Sequence, residues 1–126
     1  MSQADNTIAS AENDMSAGFF SWVCFKGHQA VEYGLKAALW GNGLSFRGNS
    51  LIELTNQVQE HLKLDFSHHR DCLRKLERFY IPSRHADAFV EGAPHTFFGK
   101  NDAQEAIACA TAILEEIKEI WTTNES

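Results

Sequence analysis

The chain has 126 residues, 44% of them hydrophobic and 22% charged, with 11 Lys and Arg against 17 Asp and Glu for a net charge of -6. That length and composition predict one globular domain able to bury about two thirds of its unfolded surface, and exclude collagen, wholesale disorder and a disulfide-dependent miniprotein. The acidic balance argues against duplex DNA as a partner, because counterion release would have to overcome net repulsion. No apolar run approaches the ~18 residues of a membrane span. Residues 1–14 are polar and acidic rather than a signal peptide, so a cytoplasmic location is expected. Three cysteines without close pairing, Cys24, Cys72 and Cys109, read as reduced, buried thiols.

Period-2 alternation is nearly absent and period-3.6 patterns dominate, which predicts an all-α domain of about five helices. A short first helix, or tail, is expected over 1–16, where Ala4, Ile8, Ala11 and Met15 recur at helical spacing. Gly18 breaks it. A long second helix follows over about 19–40 and closes at Gly41-Asn42-Gly43. Ser50 caps a third helix over 51–62. A fourth is expected over 68–79, stopped by Pro82, because the residue before a proline avoids the helical region. The stretch 81–100 reads as a long irregular loop. The last helix is expected over 102–122. Its start reads either as an Asp102/Glu105 capping box or as the competing Asn101/Gln104 register. The domain proper thus spans 17–123, with 124–126 as a tail.

The second helix carries two faces. Phe20, Val23, Cys24, Gly27, Ala30, Val31, Gly34, Leu35 and Ala38 form a broad core face. Its small members permit close approach of the last helix, whose matching stripe is Ala103, Ala106, Ile107, Ala110, Leu114, Ile117 and Trp121. An antiparallel pairing of the two is expected. The opposite face holds Trp22, Gln29, Tyr33 and Trp40, flanked by Phe25 and Lys36. Such a stripe is either covered within the subunit or forms a subunit interface, where aromatics are enriched.

The fourth helix presents Arg70, Arg74 and Arg78 at i, i+4 and i+8, with Lys75 nearby and Arg84 and His85 just beyond. Leu73, Leu76, Phe79 and Tyr80 fall away on the core side. Guanidinium groups grip phosphate oxygens in a fork, so this is the natural anion site, the alternative being a solvated face paired with carboxylates. His68, His69 and Cys72 have a spacing that could present two ligands to one ion, but no CxxC or HExxH supports a metal and none is expected. GxxxxGK[ST] and GxGxxG are both absent.

Phe19 to Leu39 resembles the signature of HEPN domains, with an aromatic-rich start and the centre Gln29-Ala30-x-Glu32 followed by Leu35-Lys36-Ala37 and Leu39. Asn49-Ser50-Leu51-Ile52-Glu53-Leu54 is similar to the family's third-helix start, with Asn49 in place of a His. The run from Leu76 through Tyr80-Ile81-Pro82-Ser83-Arg84 to Asp87 looks like its Tyr-Ile-Pro-Thr-Arg segment, departing at His85 and Ala86. Asp102-Ala103 with Ala106 resembles the last-helix start. The glycine loop, the Glu91-Gly92-Ala93-Pro94 run and the last helix are most similar to HEPN domains of the sacsin type, which belong to a large chaperone-related protein.

The resemblance implies an up-and-down bundle of about five helices, a homodimer, and a basic groove for a nucleotide such as GTP or ATP, without enzymatic activity or a further cofactor. Lys36, Arg74, Arg78, Arg84 and His85 become the phosphate candidates, with Tyr80 or Trp40 to stack on a base. The interface would be Trp22, Phe25, Gln29, Tyr33 and Trp40. Other family members are metal-independent ribonucleases with an Arg-x(4–6)-His motif. Arg78 and His85 fit its longest spacing, although Phe79 stands where catalytic members tend to carry a polar residue. A ligand-free dimerisation scaffold is the third alternative.

Overall fold

The computed structural model describes residues 2–45, 50–63, 65–83 and 98–125, the side chains of 80–83 and 120–125 excepted. Among the described residues there are five α-helices and no strand: α1 (Ser2–Ala17), α2 (Phe20–Gly41), α3 (Leu51–Leu62), α4 (Arg70–Ser83) and α5 (Lys100–Glu125). The expected all-α, up-and-down bundle is therefore what the chain forms. α2 is the central helix and packs against each of the other four.

The small first helix is real. Ala4 and Ala11 are buried, and Ile8 and Met15 pack against the core. Gly18 ends it in the left-handed region, φ +83°, with Gly18 N–H donating to Met15 and Phe19 N–H to Asp14. Lys26 then holds α1 against α2, 2.5 Å from Asp14 and 2.7 Å from Ser10. Ser50 caps α3 as its spacing predicts, its hydroxyl accepting Glu53 N–H.

The predicted core face of α2 is buried except for Phe20, which is half-buried, and the face gains His28 and Leu39. Leu35, Leu39, Leu51, Leu54, Leu76, Phe66, Phe79, Ile113 and Ile117 are the large side chains at the centre. Each such burial is worth about 1.5–3 kcal/mol. The small residues do admit α5. A Cβ on Gly27 would come 3.2 Å from Ala106 Cβ, and one on Gly34 would come 2.5 Å from Leu114.

Those two contacts also fix direction, and they correct the antiparallel expectation. Residue 27 meets 106 and residue 34 meets 114, so α2 and α5 run the same way. α4 is the antiparallel neighbour of α5: Lys75 pairs with Glu105, Cys72 meets Cys109, and His68 and His69 meet Glu116. α3 begins beside the end of α4, where Ser50 meets Glu77.

Three further expectations change. α4 enters through a 3-10 turn, Ser67–His69, and continues past Pro82 to Ser83. A proline in the last turn forfeits one amide bond where the helix is about to end, so it does not stop the helix before itself. α5 starts at Lys100, earlier than either capping register. Gly99 occupies the cap, its carbonyl accepting Ala103 N–H, and Asp102 reaches back to Gly99 N–H at 3.0 Å. Finally, Cys72 and Cys109 are not free thiols; they are joined by a disulfide between α4 and α5, and among the described residues only Cys24 is free. Burial, with the Asp102 and Glu105 carboxylates adding, pushes the Cys24 thiol up to about 12. No helix among the described residues is long and apolar enough to cross a membrane.

Candidate functional site

α3 and α4 each bury one face: Leu51, Leu54 and Val58 on the first, Leu73, Leu76 and Phe79 on the second. Packed antiparallel, they leave their flanking residues on the two banks of a groove of about 240 Å³. Arg70 and Arg74, one turn apart and exposed, form the α4 bank with Ser67. Thr55, Asn56 and Gln59 form the α3 bank, over a floor that includes Phe66 and Leu73. Gln59 also fixes the α3–α4 connection by accepting Phe66 N–H at 2.8 Å. Thr55 is 4% exposed, and its hydroxyl has no hydrogen-bond partner among the described residues. A buried hydroxyl in that state costs free energy unless a ligand or water satisfies it. Two guanidinium groups facing hydroxyl and amide donors make a site suited to phosphate oxygens.

Behind this groove a row of charged groups ties three helices together. Glu77 Oε1 sits on the N-terminus of α3, where it accepts from Ser50 Oγ at 2.7 Å, from Leu51 N–H and from Ile52 N–H at 3.4 Å. Its Oε2 lies 3.7 Å from Nε2 of the fully buried His28, whose Nδ1 lies 3.8 Å from Glu32. Glu32 in turn pairs with Lys36 at 2.8 Å. Burial works to raise the Glu77 carboxyl. The His28 imidazole, the Ser50 hydroxyl and the Leu51 amide outweigh that and hold it below the ordinary glutamate range. A carboxylate at exposed helical amides also matches the positive end of the helix dipole.

The predicted phosphate candidates separate. Arg74 is in the groove, joined by Arg70. Arg78 is exposed one turn further along α4, its guanidinium 5.5 Å from the Phe79 ring. Lys36 lies outside the groove lining and pairs with Glu32. Tyr80 belongs to α4, while its side chain, Arg84 and His85 lie outside the described residues. Thr55, Asn56, Gln59 and Ser67 were missed. On one sequence they are ordinary polar helix and turn residues, and only the pairing of α3 with α4 sets them opposite the arginines.

On α2, Trp22, Phe25, Gln29 and Tyr33 are half-buried, with Trp22 and Phe25 edge-to-face at 6.0 Å. Trp40 at one end of the helix is 74% exposed, and Phe19 just before the other end is 57% exposed. The stripe is thus neither wholly covered by its own subunit nor wholly open.

The fold and this site can be set beside known proteins. The chain is similar to TT1696 of Thermus thermophilus, with 27% identity, 94% of this chain and 93% of that one covered, and a TM-score of 0.80. It is 31% identical to ST0689, an archaeal HEPN homologue, over 94% and 91% of the two chains, with a TM-score of 0.72. An HEPN domain protein of Thermotoga maritima, TM0613, shares the fold at 21% identity and a TM-score of 0.76, over 97% and 96% of the two chains. No curated protein matches the sequence. The family model for the HEPN domain matches residues 1–120. With that match covering nearly all of its length, the chain belongs to the HEPN domain family.

Proposed function

We propose that this HEPN domain is a non-enzymatic, homodimeric, nucleotide-binding module of the cytoplasm that takes the phosphates of GTP or ATP in the α3–α4 groove. The observation that carries the reading is the pairing of Arg70 and Arg74 with the opposite polar bank and its buried Thr55 hydroxyl. Arg78 extends the basic bank by one turn, and Arg84 and His85 follow it in the chain. Lys36 is a lesser candidate, since Glu32 already holds it. Tyr80 and Trp40 are the aromatic groups offered to a base. Dimerisation is assigned to Trp22, Phe25, Gln29, Tyr33 and Trp40, supported by the exposed Trp40 ring and the half-buried aromatics beside it. The resemblance of the Glu91–Pro94 run to sacsin-type domains supports a place within a chaperone-related protein.

Titration calorimetry with GTP and with ATP tests the site. Wild type is expected to give micromolar binding, and Arg70→Ala with Arg74→Ala to weaken it by about tenfold or more, since hydrogen bonds to charged groups are each worth about 1.5–3 kcal/mol. Circular dichroism should show unchanged helix content. No heat from wild type at millimolar ligand would reduce the domain to a dimerisation scaffold. Cleavage of mixed-sequence RNA by wild type but not by His85→Ala would replace the proposal with a ribonuclease using Arg78 and His85.

A further inference from the structure

The 3-10 turn that leads into α4 places two adjacent histidines against α5. His68 Nε2 is 3.0 Å from Glu116 Oε2, and His69 Nε2 meets the same oxygen. The two rings are close and tilted, their centroids 4.1 Å apart and their planes at 41°. One ligand atom from each of the three residues falls within 4.8 Å of the other two. Two imidazole nitrogens and a carboxylate oxygen are thus gathered around one point, from two helices. We propose that His68, His69 and Glu116 bind a divalent transition-metal ion of the zinc class, with a fourth position left to water.

The donor set selects the class of ion. Imidazole nitrogen suits zinc, cobalt and nickel, whereas magnesium and calcium require mainly oxygen. Ligand atoms about 2.0–2.1 Å from a tetrahedral zinc stand about 3.3–3.4 Å from one another. Reaching that arrangement takes a change of about 1.5 Å at most in any separation, which the side chains of His68, 58% exposed, and Glu116, 31% exposed, can supply. His69 is the fixed ligand: its side chain is 12% exposed and its ring lies 5.9 Å from that of the buried Phe66. The Cys72–Cys109 disulfide fixes the spacing of α4 and α5 beside the cluster. Cys72 itself is not a ligand, because its sulfur is committed to Cys109. The site does not depend on nucleotide binding, although Ser67 and Arg70, which flank the two histidines, line the groove.

Zinc chloride titrated into the intact, oxidised chain by calorimetry, with cobalt absorption as a second readout, tests this. Wild type is expected to bind one zinc per chain, to show cobalt d–d bands and to melt at a higher temperature with zinc. His68→Ala, His69→Ala and Glu116→Gln should each weaken binding by about tenfold or more. His61→Ala, on exposed α3 surface, should leave it unchanged. Glu116→Gln keeps the side-chain shape and His68→Ala alters an exposed position, so their result stands even if His69→Ala perturbs folding. Absence of zinc binding to wild type, or binding that survives both of those substitutions, overturns the proposal.

Discussion

At the scale of single residues, Glu77 does the most. Its carboxylate closes the N-terminus of α3 from 26 residues away and faces the buried His28. Glu77→Gln keeps the shape and removes the charge, and is expected to cost about 1.5–3 kcal/mol in urea unfolding at neutral pH. Because the folded carboxyl titrates below its ordinary value of 4.5, the stability it contributes is complete above that pH and is lost as pH falls through the lower folded value. The wild-type and Glu77→Gln stability curves should therefore converge in acid, and a constant gap between them would refute the assignment. The local half of this arrangement was legible, since a serine directly before the apolar run from Leu51 reads as a cap. The remote half was not, because nothing in a linear pattern brings residue 77 to residue 51. The start of α5 offers a second residue-scale test. Asp102→Ala should lower stability by about 1 kcal/mol, as loss of a capping contact does, while Asn101→Ala, which is exposed, should change the melting temperature little.

At the scale of elements, the helix stripes told which faces meet but not in which direction. The small residues of α2 and the alanines of α5 give the same periodic match whether the helices run together or opposed. The deciding facts are the registers Gly27 with Ala106 and Gly34 with Leu114. Gly34→Ala is expected to destabilise by about 1–2 kcal/mol despite the better helix propensity of alanine, because Leu114 must leave its rotamer in a closed core. Leu114→Ala should cost about 2–5 kcal/mol alone and measurably less in the Gly34→Ala background, since the new methyl enters the space vacated. A double-mutant cycle by chemical denaturation reads that coupling; additivity would mean the two positions do not touch. The basic bank of α4 was legible from the spacing of its arginines, whereas the facing bank needed the α3–α4 pairing.

For the molecule as a whole, helical periodicity was enough to give the fold class, and it also placed the core of α2 and the length of α3. The disulfide was beyond it: Cys72 and Cys109 are 37 residues apart, and only antiparallel packing of α4 on α5 brings their Cα atoms to 5.3 Å. In the chain-entropy account a loop of that size is worth about 3–4 kcal/mol. Reduction with dithiothreitol should lower the unfolding free energy measured in urea by that amount, while a loss under about 1 kcal/mol would show that the helices hold this spacing without the bond.

The ion pair of Asp5 with Lys118, 2.6 Å across, has a separate consequence. It marks where the first turn of α1 lies beside α5, about two turns before that helix ends at Glu125, so the first and last helices are neighbours. A chain reconnected there by a short linker and cut instead at the Asn42–Gly43 turn would present the same helices to one another in a different order along the gene.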